Sequence, residues 1–221
     1  MNLGILRVLG IILFVYLTWR NLKDNYDEDK IVNYSWISLL VFFVIGRITY
    51  GLVNFGVWND SWRSWFAVWD KPGMYYVGGF LALILINFVF SKINNWKFIP
   101  FCEDNLSNTL VFLFFLLGDE FVRTSFDLKT GAYLFLIFLM MILLKLAKKK
   151  YRSLVWYKSG KKGFAFLITV FLSFLLLGFL GVLFQSSLVF SILYWIISLL
   201  SLVGLCILGE VFNFLMINKR K

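Results

Sequence analysis

The sequence predicts an all-α integral membrane protein: a bundle of seven transmembrane helices in a single domain over residues 1–221. Three observations carry this. Of its 221 residues 61% are apolar, with a mean hydropathy of +0.82, whereas a soluble domain is nearer half apolar. The apolar residues form long continuous runs, which suit helices, and lack the short alternation of a membrane β-barrel. Charges and tryptophans collect where the runs break, as they do at membrane–water interfaces.

The predicted spans are Leu3–Trp19, Ser35–Trp58, Met74–Phe90, Ser107–Val122, Ala132–Leu146, Gly163–Phe184 and Leu188–Met216. The first holds one charge, Arg7, and no small-residue cleavage site follows it, so it reads as a retained span. The second carries Arg47 near its middle, and the third starts just after Pro72-Gly73. The fourth ends in Asp119, Glu120 and Arg123, and a basic run follows the fifth from Lys145. Only Gln185-Ser186-Ser187 separates the sixth from the seventh, which embeds Glu210. The third to fifth spans are short against the ~20 residues that cross a hydrocarbon core.

Cation counts give a topology. Arg20–Tyr34, Ser91–Leu106, Lys145–Lys162 and the C-terminus together hold 16 of the 22 Lys and Arg residues. That side is expected in the cytoplasm, with the N-terminus outside and the C-terminus inside. Asn33-Tyr34-Ser35 and Asn105-Leu106-Ser107 then lie on the cytoplasmic side, away from glycosylation. Trp58, Trp62, Trp65 and Trp69 are expected along the outer interface.

The net charge of +10 is no nucleic-acid signal here; cations beside spans set topology and touch anionic headgroups. Two cysteines, Cys102 and Cys206, are too few for a disulfide framework. With no histidine, the chain lacks the commonest metal ligand and the usual proton carrier near neutral pH. No metal and no cofactor are expected.

Some polar groups need explaining. A lone arginine at mid-span costs roughly 3 kcal/mol on insertion scales, so Arg47 should face the bundle interior or a wet cavity. Glu120 and Arg123 are three residues apart and share a helix face. In one reading Arg47 pairs with Glu120 or Glu210 and fixes helix packing. In the other, Arg47 and Arg123 line a pocket for an anionic phosphate, which the planar guanidinium fork suits. Gly78-Gly79 allows close helix approach or gives a headgroup access to the backbone.

Gly46-Arg47-Ile48-Thr49-Tyr50 resembles the Gly-Arg-Ile/Leu-Gly-Tyr motif of the prolipoprotein diacylglyceryl transferases of bacterial inner membranes. Trp69-Asp70, Gly73-Met74 and Gly78-Gly79 resemble that family's Trp-Asp-Gly-Gly-Met-Ser-Phe-His-Gly-Gly motif at similar spacing. The clear likeness covers Phe42 to Phe90, and a topological one extends along most of the chain. The resemblance implies a seven-helix fold in the inner membrane. It implies binding of phosphatidylglycerol and transfer of its diacylglyceryl group to a lipoprotein-precursor cysteine. Arg47, Tyr50, Arg123, Gly78 and Gly79 would then meet the lipid headgroup, and Glu120 would serve as the base.

The chain departs from the family pattern in several places. Val77 stands at the histidine position. The family's second arginine falls at Gly118 or Asp119, with Arg123 about one turn further on. The outer insert before the fifth span shrinks to about Thr124–Gly131. A catalytically inactive lipid- or protein-binding relative is the alternative, and a small transporter subunit a third.

Overall fold

A computed structural model describes residues 4–53, 75–151, 157, 161–184 and 188–210. The described residues form seven helices: α1 Ile5–Leu22, α2 Glu28–Val53, α3 Tyr76–Ile93, α4 Phe98–Arg123, α5 Leu128–Lys150, α6 Phe164–Leu183 and α7 Leu188–Leu208. All seven are long and apolar enough to cross a membrane. The tryptophan-rich stretch Trp58–Trp69, Asp70, Gly73-Met74 and the predicted end of the seventh span lie outside the described residues.

α2, α4 and α5 begin before the apolar segments that announce them. α2 begins at Glu28 rather than Ser35, and α4 at Phe98 rather than Ser107. Hydropathy marks where a chain prefers lipid, whereas backbone hydrogen bonds extend a helix through polar residues that find partners. Glu103, Asn105, Asn108 and Thr109 of α4 are buried, not spread through a loop. Asn108 donates to Asn105 at 3.2 Å, and Thr109 to the Asn105 carbonyl at 3.3 Å. The spans that looked short thus become helices of 18, 26 and 23 residues.

Helix ends have local causes. Asp127 caps α5, its carboxylate accepting from the Thr130 N–H at 3.1 Å. Asn95, after α3, takes φ 56°, a conformation asparagine tolerates better than most residues. Gly163 precedes α6 at φ 122°, where a side chain would be strained. Its N–H donates to the Glu103 carboxylate.

The chain forms two compact units. Phe14–Phe101 is one of them. There α2 packs on α3, and Leu22, Ile31, Tyr34 and Phe101 form a core ringed by Trp19, Tyr26, Phe90 and Trp96. The Tyr34 hydroxyl donates to Asn87 within this core. Residues 1–13 and 102–221 form the other unit, in which α6 packs on α7 and α5 on α6. Ser191, Tyr194, Ser198, Ser201 and Leu205 make one buried stripe on α7. Ser198 Oγ donates to the Phe171 carbonyl of α6 at 2.9 Å.

Candidate functional site

In the unit 14–101, the Gly46–Tyr50 motif and the start of α3 come together. Arg47 lies in the interior of α2 and is 6% exposed, so it avoids the lipid, as its cost there demands. Tyr50, one turn on, lies close enough to interact with it electrostatically. The Tyr75 N–H donates to the Gly46 carbonyl at 3.0 Å, tying the start of α3 to the residue before Arg47. Thr49 Oγ1 turns back to the Ile45 and Gly46 carbonyls at 2.7 and 3.1 Å.

Gly78 and Gly79 seat α3 against α2. A Cβ at Gly78 would collide with the Thr49 side chain, and one at Gly79 would stand 2.6 Å from the Phe42 ring. Phe42, Gly46 and Thr49 share one face of α2 through their four- and three-residue spacing. Phe42 and Thr49 therefore cover the two glycines, which allow the close approach that small residues permit in membranes. Gly78→Val is expected to force the helices apart and lower stability by about 1–3 kcal/mol, the usual cost of overpacking. An unfolding midpoint in detergent equal to that of the parent would contradict this packing role.

In the other unit, the end of α4 carries the acidic pair. Asp119 is buried and Glu120 half-buried. Arg7 Nη2, from the first turn of α1, meets Asp119 Oδ2 at 3.0 Å and Glu120 Oε2 at 3.8 Å. Gly4 lies against the same carboxylate, where a Cβ would come within 2.6 Å of Asp119 Oδ1. Arg123 is exposed as the last residue of α4. Sequence reasoning singled out Glu120 but not Arg7 as its ion-pair partner. The available signal was a lone cation in the first span and an acid pair on the same predicted side.

Glu210 is not embedded in the seventh span, as the sequence suggested. α7 ends at Leu208, and Glu210 sits beyond it at φ 56°, paired with Lys161 at 3.0 Å. A glutamate just past a helix end keeps contact with water and a cation, which a mid-span position would deny it. Among the described residues, no group of three or more His, Cys, Asp or Glu is placed to hold a metal ion.

The sequence profile of the prolipoprotein diacylglyceryl transferase family matches residues 2–124, more than half of the chain. The chain belongs to this family. No curated protein sequence matches it. The family acts on lipid and lipoprotein substrates in membranes, and this member is a multi-pass, all-helical membrane protein. The matched region spans α1 to α4, so it includes both the Arg47 neighbourhood and the Arg7–Asp119 pair. Val77, where the resemblance places the family's histidine, is half-buried in the first turn of α3 beside Gly78.

Proposed function

We propose that this chain binds phosphatidylglycerol in the inner membrane as a diverged diacylglyceryl transferase, Arg47 and Tyr50 holding the lipid phosphate. The observation that supports it is the convergence of Gly46–Tyr50 and Tyr75–Gly79 around a buried arginine. A guanidinium is costly in a span, and its planar fork matches phosphate oxygens. The close α2–α3 seat at Gly78 and Gly79 holds that arginine's helix in register. The cation asymmetry supports an N-terminus outside and a C-terminus in the cytoplasm.

In the transferase reading, the diacylglyceryl group passes to the thiol of a lipoprotein precursor and glycerol phosphate leaves; the resemblance assigns Glu120 as base and Arg123 to the headgroup. Thiolate is the attacking species, so a proton acceptor is required. A second reading keeps the lipid and drops the transfer. The contact of Arg7 with Glu120 favours it, because that carboxylate already serves an ion pair. The test incubates the purified protein with phosphatidylglycerol and a peptide bearing the acceptor cysteine, and seeks the diacylglyceryl thioether by mass spectrometry. Product that disappears in Glu120→Gln supports the first reading. Absence of product with lipid still bound establishes the second, and absence of both overturns the proposal.

A further inference from the structure

Around the end of α5, most of the charges of the described residues answer one another. Lys148 donates to Ser107 Oγ at 3.2 Å and interacts electrostatically with Glu103, Asp104 and Lys162. Lys162 stands 3.9 Å from Asp104, and Lys161 pairs with Glu210 at 3.0 Å. Lys148 and Lys162 thus balance Glu103 and Asp104, and Lys161 balances Glu210. Lys150 has an interaction of its own. Lys145 and Lys149 stand outside these pairings, and both are exposed.

The two lysines share one face of α5. Leu136, Met140 and Leu144 are buried at four-residue spacing and form the packed face. Phe138, Ile142, Lys145 and Lys149 follow at four- and three-residue spacing on the opposite side, all exposed. The ridge is therefore apolar at Phe138 and Ile142 and cationic at its end. Like charges one turn apart repel, so the pair favours an anion between them.

Depth decides which anion. The 23 residues of α5 span about 35 Å. With α5 centred on the bilayer, Lys149 lies about 15 Å from the midplane and Lys145 about 9 Å, against a hydrocarbon half-thickness of about 15 Å. Lys145 must reach toward the headgroups, which brings its ammonium to the level of Lys149. A lipid phosphate lies at that level, and acyl chains lie beside the ridge below it. A soluble acidic protein could meet the lysines but not Phe138 and Ile142, which stay in lipid.

We propose that Lys145 and Lys149 bind the phosphate of an anionic phospholipid whose acyl chains lie along Phe138 and Ile142. The contact stands on other residues than the one assigned to Arg47 and does not depend on it. It is exposed and exchanges with surrounding lipid, so a titration reads it. Phosphatidic acid and phosphatidylcholine with matched chains are titrated onto the purified protein, and bound lipid is counted by native mass spectrometry. The parent is expected to bind phosphatidic acid about thirty-fold more tightly than the double variant Lys145→Gln, Lys149→Gln, and phosphatidylcholine equally. Added salt should narrow the difference, because exposed charges are screened.

Lys145→Arg with Lys149→Arg should keep the affinity, since either cation meets a phosphate. The same lysine effect is expected in an Arg47→Ala background, so failure of the headgroup reading leaves this one standing. Equal affinity of the parent and the glutamine variant for phosphatidic acid overturns the proposal. So does poly-glutamate that binds the parent, is lost in the glutamine variant and is not displaced by phosphatidic acid, which would put an acidic polypeptide on the lysines instead.

Discussion

Arg47→Ala is expected to lower retention of phosphatidylglycerol by about a hundred-fold. Hydrogen bonds to charged groups contribute about 1.5–3 kcal/mol each, and every 1.4 kcal/mol is ten-fold in affinity, so a two-pronged guanidinium–phosphate contact reaches that size. The side chain is only 6% exposed, so water screens it little. Arg47→Lys should recover part of the retention, because an ammonium keeps the charge but lacks the planar fork. Stability should move the other way or not at all, since alanine removes a charged group from a span. Lipid carried through purification, measured per mole of protein, reads the first effect; an unfolding midpoint reads the second. Retention unchanged in Arg47→Ala would remove the headgroup role.

The second large effect concerns Arg7 and Asp119, where the two single substitutions should differ. Arg7→Ala strands a carboxylate that is 6% exposed, whereas Asp119→Asn strands a guanidinium that keeps 30% exposure and retains Glu120 nearby. Breaking a fully buried pair costs about 3–5 kcal/mol, and partial exposure of Arg7 lowers that figure. Arg7→Ala should therefore lose about 2–3 kcal/mol and Asp119→Asn about 1 kcal/mol. The double variant should lose less than the sum, since neither charge is then left alone. Equal losses for the two singles, or strict additivity, would show that the 3.0 Å contact does not couple the start of α1 to the end of α4.

Much of this was readable from the chain. Continuous apolar runs announced each of the seven helices in order, and the cost of a charge in lipid foretold that Arg47 would be buried. The family likeness lay in short runs such as Gly46-Arg47 and Gly78-Gly79, which are local and survive in one dimension. Helix limits were not readable. An apolar run ends at the first polar residues, and only neighbouring helices show that Glu103, Asn105 and Asn108 are sheltered inside α4. Glu210 was misplaced for the related reason that apolar residues continue past Leu208, where the helix stops.

The candidate site divides along the same line. Composition and hydropathy along the chain establish a multi-span membrane protein with an arginine inside a span, and its short motifs carry the family likeness that the profile match bears out. They do so because hydropathy and motifs are properties of neighbours along the chain. Tertiary structure alone brings Tyr75 to the Gly46 carbonyl, sets Thr49 and Phe42 over the glycine pair, and brings Arg7 to Asp119. Those contacts join residues far apart in sequence. Each depends on the rotation and depth of one helix against another, which no single helix's sequence encodes.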